Sequence, residues 1–130
     1  MSQENVETAR TIYEQYARGD FSWFAELGED FELVTSRENP DAGVYRGETA
    51  RRWLWEWVQS FEQLTIEAIE IIDAGEKVVV GILQRGCPHG SQTTMEGRWW
   101  QVVTFRQGEI VRSELFADRA QALEAVGLRE

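Results

Sequence analysis

The chain has 130 residues, of which 42% are hydrophobic and 28% charged, as is typical of one globular domain that can bury its own core. Its formal net charge of −10 disfavours nucleic acid and anionic membrane surfaces as partners, because their phosphate groups would be repelled. A single cysteine, Cys87, excludes an intrachain disulfide, and no apolar run approaches the roughly 20 residues of a membrane span. The first residues lack the pattern of a signal peptide, so we expect a cytoplasmic location.

The first part of the chain is predicted to be helical. Its apolar residues recur at helical spacing and would form one buried stripe: Val6, Ala9, Ile12, Tyr13, Tyr16 and Ala17. Gly19 is a natural end for this helix. Asp20 is then expected to cap a short second helix, FSWFAEL, which Gly28 closes.

A strand and a loop precede the strongest helical signal. Residues 30–36 alternate as a strand does, and residues 37–47 contain Pro40 and two glycines, which predicts a loop. Residues 48–64, ETARRWLWEWVQSFEQL, are predicted to form the third helix. Its apolar face would carry Ala50, Trp53, Leu54, Trp57, Val58 and Phe61, with Trp55 outside that stripe.

The hydrophobic period then changes to two. Four long strands are predicted at residues 64–73, 77–86, 93–106 and 109–118, followed by a short helix at residues 119–127. This order predicts an α+β fold in which helices pack on one face of a strongly curved antiparallel sheet. The concave face of such a sheet cannot be filled near its open end, so we expect a blind pocket there.

Several stretches resemble the SnoaL-like branch of the NTF2-like superfamily. They are YEQYARGDFSWFAEL, the tripeptide at residues 45–47, VVVGILQRG, FRQGEIVR and FADRAQALEAVGL, and the resemblance runs over nearly the whole chain. It implies a cone-shaped curved sheet with an apolar pocket, usually dimerised through the outer face of the sheet. Relatives include polyketide cyclases, ketosteroid isomerases and limonene-epoxide hydrolases, so the resemblance specifies the fold more closely than the activity.

The resemblance also accounts for the segment GRWWQVVTFR, which is apolar on both sides when it is read as a strand. One side would look into the cone and contains Trp99, Gln101, Val103 and Phe105. The other side, with Trp100 and Val102, would lie in a homodimer interface, as Trp55 would. A buried amide needs a hydrogen-bond partner, so Gln101 is expected to bond Tyr13 or another inward group, or to face a ligand.

None of the positions that match the catalytic residues of the isomerases carries a carboxylate in this sequence. The base position falls on Thr35, the oxyanion acid on Gln101, and the oxyanion tyrosine on Ile12, with Tyr13 one residue further on. Because Thr35 cannot take a proton from carbon at neutral pH, the sequence argues against ketosteroid isomerase activity.

The cyclase relatives place a working Asp near the end of the last long strand, where Asp118 is the best match. Asp118 shares its parity with Phe116, and an inward orientation would suit it to acid/base work in an apolar cone. Asp118 also directly precedes the last helix and is a good N-cap for it, and both interpretations stay open.

Two functional hypotheses follow. In the first, the protein binds a small, largely apolar molecule, with cofactor-free acid/base chemistry at Asp118, the predicted catalytic residue. The predicted ligand-binding residues are then Tyr13, Trp99, Gln101, Phe105 and Phe116. In the second, the protein is a non-catalytic, dimeric ligand-binding or scaffold module. Neither uses a cofactor or a metal, because one cysteine and one histidine, His89, cannot make a zinc site.

Overall fold

The computed structural model describes residues 2–35 and 43–128. The helices in this part of the chain are α1 (Ser2–Ala17), a short 3₁₀-helix (Ser22–Glu26), α2 (Gly47–Gln59) and α3 (Arg119–Ala125). The strands are β1 (Glu32–Val34), β2 (Val44–Arg46), β3 (Phe61–Ala74), β4 (Lys77–Pro88), β5 (Met95–Arg106) and β6 (Glu109–Phe116). The predicted α+β layout is confirmed. None of the helices within the described ranges is long and apolar enough to cross a lipid bilayer.

The described strands form one curved, mixed sheet in the order β2-β1-β6-β5-β4-β3. All neighbouring strands run antiparallel except β1 and β6, which are parallel. The expectation of a purely antiparallel sheet is therefore wrong at this pairing. Strand β2 lies in the region predicted to be a loop, whereas Pro40 falls outside the described residues.

Helix α2 is shorter than its apolar pattern predicts. It ends at Gln59, and Phe61 begins strand β3, so the predicted extension to residue 64 is wrong. The backbone N–H of Ser60 closes the last helical turn by bonding the carbonyl oxygen of Glu56. Phe61 packs against the buried core from strand β3. An apolar residue at this position fits the helical period and the strand period equally well, so the sequence pattern did not show where the helix ends.

The sheet buries apolar side chains on both faces. The concave face carries the main core, in which Val78, Val80 and Val103 pack against Tyr13 of α1. On the convex face, Val79 and Val102 are fully buried together with Ala122 of α3. The prediction that helices pack on one face only is therefore wrong for α3.

The convex face thus has a cover within the chain. Arg119 of α3 lies over the Trp100 ring, with Cζ 5.8 Å from the ring centroid, and donates two hydrogen bonds of 3.1 and 3.0 Å to Glu70. Val102 needs no second subunit to be buried. Trp55 packs edge-to-face on Phe24 and remains 37% exposed.

Gly81 allows the Trp100 ring to lie flat on the convex face. The two residues are directly opposite each other in the β4–β5 register. A Cβ atom at Gly81 would lie 2.7 Å from a carbon of the Trp100 ring, closer than carbon atoms can approach. The position therefore requires glycine for packing, although its φ is not in the left-handed region.

Replacing Gly81 with alanine should therefore destabilise the fold. We expect Gly81→Ala to lower the free energy of unfolding by about 1–3 kcal/mol, the usual cost of overpacking, as measured by urea denaturation. The matched control is Gly97→Ala in β5, because a Cβ atom there meets nothing within 4 Å. Equal stability of the two variants would contradict this account of the convex face.

Candidate functional site

An apolar cavity lies between α1, the 3₁₀-helix, α2 and the concave face of the sheet. Its volume is about 60 Å³, and it is partly open to solvent. Its apolar walls include Ile12, Phe24, Phe31, Leu33, Ile66 and Val103. Since a cavity that binds benzene has a volume of about 150 Å³, a ring-sized guest requires some of the wall to move.

Three half-buried tryptophans form part of the cavity wall: Trp23, Trp57 and Trp99. Trp99 is held from two sides, because its Nε1 donates to Gln84 Oε1 at 3.0 Å and its ring packs edge-to-face on Trp57. The centroids of these two rings are 5.9 Å apart. Trp99 thus lines the cavity, as predicted from its parity in β5.

A chain of hydrogen bonds crosses the apolar cavity. The Tyr13 hydroxyl donates to Gln101 Oε1, and Gln101 Nε2 donates to the Ser113 hydroxyl oxygen. Tyr13 comes from α1, Gln101 from β5 and Ser113 from β6, and all three line the cavity. Gln101 therefore lies on the inner face of the sheet, and both polar atoms of its half-buried amide are paired, as is usual for polar groups shielded from water.

The hydroxyl groups of this site are fixed as neutral donors. Burial raises the pKa of Tyr13 well above its ordinary value, and the neighbouring Tyr16 raises it further. Burial also raises the pKa of Tyr16. Among the described residues that line the cavity there is no Asp, Glu, His, Lys or Arg, so no lining group changes its charge near neutral pH. The cavity presents oriented hydrogen bonds but no base.

Ser113 was not predicted, because the expected parity of this part of β6 is wrong. The register pairs Val103 with Ser113 and Gln101 with Leu115, which places Ser113 and Leu115 on the inner face. Phe116 pairs with Trp100 and packs in the convex-face cluster, away from the cavity. The expected inward orientation of Phe116 is therefore wrong.

Asp118 is placed as the N-cap of α3. Its side chain is exposed, and its Oδ1 accepts a hydrogen bond of 2.9 Å from the backbone N–H of Gln121. Asp118 does not line the cavity. Of the two interpretations that the sequence leaves open, the geometry shows the cap.

Three other candidate residues also lie away from the cavity. Phe105 is buried in the main core but does not line the cavity. Thr35, at the position of the isomerase base, is buried, and its hydroxyl accepts a 2.9 Å bond from the Gly43 N–H. His89 lies in an exposed turn 3.4 Å from a Glu62 carboxylate oxygen. Within residues 2–35 and 43–128, no cluster of three His, Cys, Asp or Glu side chains is placed to hold a metal ion.

A second, larger depression on the surface is less suited to a specific ligand. It has a volume of about 540 Å³ and is lined by residues such as Phe21, Trp55 and Leu64. It is more open to solvent than the cavity. We place the candidate site in the smaller cavity because it encloses oriented polar groups within apolar walls.

Solved structures with the same architecture carry the NTF2-like fold. A protein described as a SnoaL-like polyketide cyclase from Jannaschia sp. CCS1 is 17% identical, with a TM-score of 0.73 over 99% of this chain and 95% of its own. An NTF2-like protein from Burkholderia xenovorans LB400 is 26% identical, with a TM-score of 0.66 over 97% of both chains. TerC, co-crystallised with polyporic acid, is 20% identical, with a TM-score of 0.71 over 95% of this chain and 98% of its own.

No protein-family model and no curated protein matches the sequence. The structural likenesses confirm the predicted fold and its resemblance to SnoaL-like proteins. At these identities they establish the architecture and leave the activity to be argued from the site itself.

Removing the Asp118 cap should cost stability. We expect Asp118→Ala to lower the free energy of unfolding by about 1 kcal/mol, because the Gln121 N–H loses its acceptor. Asp118→Asn should stay within a few tenths of a kcal/mol of the wild type, since an amide oxygen caps a helix as well as a carboxylate does. Urea denaturation measures both changes, and a stable Asp118→Ala variant would contradict the capping role.

Removing the Tyr13 hydroxyl should break the chain of hydrogen bonds. Tyr13→Phe leaves Gln101 Oε1 without its donor, so we expect a loss of about 1–3 kcal/mol in the free energy of unfolding. Tyr16→Phe is the control, because it makes the same change one turn away, where the hydroxyl bonds none of the described residues. If both variants lose the same amount, the proposed pairing of Tyr13 is contradicted.

Proposed function

From an NTF2-like fold shared with SnoaL-like polyketide cyclases, we propose that this protein binds a small, neutral, largely apolar molecule in the cavity of its cone. The observation that carries the proposal is the chain from Tyr13 through Gln101 to Ser113, which crosses a cavity with otherwise apolar walls. Apolar walls with a few fixed polar groups are the usual composition of a small-molecule site.

The charge of the ligand follows from the lining. Moving an ion from water into an apolar cavity costs far more than hydrogen bonds return unless an opposite charge pairs with it. No described lining residue carries a charge at neutral pH. A neutral ligand is therefore the chemistry that suits this cavity.

The polar chain gives the site a means of orienting a ligand oxygen. The Tyr13 oxygen keeps a free lone pair while it donates to Gln101, and the Ser113 hydroxyl keeps its own proton while its oxygen accepts from Gln101. Ser113 can thus donate to a ligand without breaking the chain. TerC, with the same fold, was co-crystallised with polyporic acid, which supports a ligand-binding use of this architecture.

Cofactor-free chemistry of the cyclase type is the second candidate. The observation in its favour is the Ser113 hydroxyl, whose oxygen accepts from Gln101 and whose own proton remains available to donate to an enolate oxygen in the cavity. A proton acceptor is also required, and Asp118 at the cap of α3 lies outside the cavity. Binding without turnover is therefore the function that the geometry supports best.

Two expectations from the sequence stay predictions. One is a homodimer through the convex face of the sheet, which would have to form around α3, because α3 already covers Val102. The other is a cytoplasmic location.

Neutral ring-bearing probes test the proposal directly. Cyclopentanone should shift the methyl NMR signals of Ile12, Ile66 and Val103, which line the cavity, and leave those of Val79 and Val102 on the convex face unchanged. Cyclopentanecarboxylate should bind at least about tenfold more weakly, because its charge finds no partner. Equal binding of the carboxylate, or the absence of cavity shifts with cyclopentanone, would contradict the proposal; the second result would favour a scaffold.

A further inference from the structure

Trp23 carries a buried hydrogen-bond donor that none of the described residues satisfies. It lies in the 3₁₀-helix and lines the cavity. Its Nε1 atom is shielded from solvent and has no acceptor within residues 2–35 and 43–128, whereas the Nε1 of Trp99, in the same cavity, donates to Gln84 at 3.0 Å. Most buried polar groups in proteins are paired, so an unpaired indole N–H needs an explanation.

Packing alone does not explain this donor. The indole N–H has no acceptor capacity and can be satisfied only by a neighbouring oxygen or nitrogen lone pair. Phe24, the next residue of the same turn, is buried at the cavity wall with no polar atom at all. An apolar ring can therefore line this part of the cavity, and the N–H adds an unfavourable desolvation term that a phenylalanine would lack.

The geometry points to the Trp23 N–H as the donor that recognises an acceptor oxygen of the ligand. This inference rests on the proposed binding function and narrows its ligand class. Gln101 Oε1 and Nε2 each already have one partner within the chain, whereas a ligand oxygen at the Trp23 N–H would be the first partner of this donor among the described residues. The preferred ligand is a neutral molecule with an unprotonated acceptor, such as a ketone, quinone, ester or ether.

The site is expected to bind ligands with an acceptor oxygen more tightly than hydrocarbons of the same shape, because the Trp23 donor has no water to lose. The Trp23 N–H is already desolvated in the folded protein, so an arriving acceptor gains a bond without first removing water from that donor. An isosteric hydrocarbon fills the same space but leaves the N–H unpaired. The site should therefore favour acceptors more strongly than an all-carbon cavity of the same shape would.

A cycle of two probes and two variants isolates this bond. Cyclopentanone and methylenecyclopentane have the same shape, and only the ketone offers an acceptor. We expect Trp23→Phe to reduce the affinity for the ketone relative to the hydrocarbon by about five- to tenfold, as measured by NMR titration of the cavity methyl groups. Trp55→Phe is the matched control, because its indole lies outside the cavity, and it should leave the ratio unchanged.

The wild-type protein supplies a second measurement that does not depend on the fold of a variant. Binding of cyclopentanone should move the indole N–H proton signal of Trp23 downfield, and methylenecyclopentane should not. An unchanged affinity ratio in Trp23→Phe, or no downfield shift with the ketone, would overturn the role of Trp23 while cavity binding stands. If neither probe binds, the proposed function falls, and this inference falls with it.

Discussion

Leaving a polar group unpaired inside an apolar cone costs free energy, and this constraint organises the site. Gln101 meets it by bridging two hydroxyls, from Tyr13 on α1 and Ser113 on β6. The bridge joins the helix to two adjacent strands across the space that becomes the cavity. Because burial also raises the pKa of Tyr13, the bridge keeps one protonation state over the physiological pH range.

The register of the sheet determines which side chains meet in this space. Strand β5 turns its odd-numbered residues inward, and its pairing with β6 brings Ser113 to the same face. On the opposite face, Gly81 makes room for Trp100, and α3 covers Val102. A helix on the convex side thus stabilises the strand that presents Gln101 on the concave side.

Periodicity in the long amphipathic segments predicted most elements of the fold, whereas the inner face of β5, a strand that is apolar on both sides, was predicted only from the resemblance to SnoaL-like proteins. Gln101 was recognisable as a single amide between Trp99 and Val103. The face of β6 was not predictable in the same way. Its even positions carry Ile110, Arg112, Glu114 and Phe116, its odd positions Glu109, Val111, Ser113 and Leu115, and both sets mix apolar with polar side chains. Only the pairing with β5 decides between them.

Two further features depend on tertiary structure. The end of α2 was misplaced because Phe61 and Leu64 are apolar at positions that suit a helix and a strand equally. The unpaired N–H of Trp23 could not be predicted from the sequence. Trp99 is the same residue type, yet its indole N–H has an acceptor. A lone aromatic residue reveals its hydrogen bonding only when its neighbours are known.

The coupling between Tyr13 and Gln101 tests the central claim most directly. A double-mutant cycle compares the free energies of unfolding of Tyr13→Phe, Gln101→Met and the variant that combines them. If the hydroxyl and the amide form one bridge, the combined loss should differ from the sum of the single losses by about 1 kcal/mol or more. Losses that add to within about 0.3 kcal/mol would contradict the bridge and the site built on it.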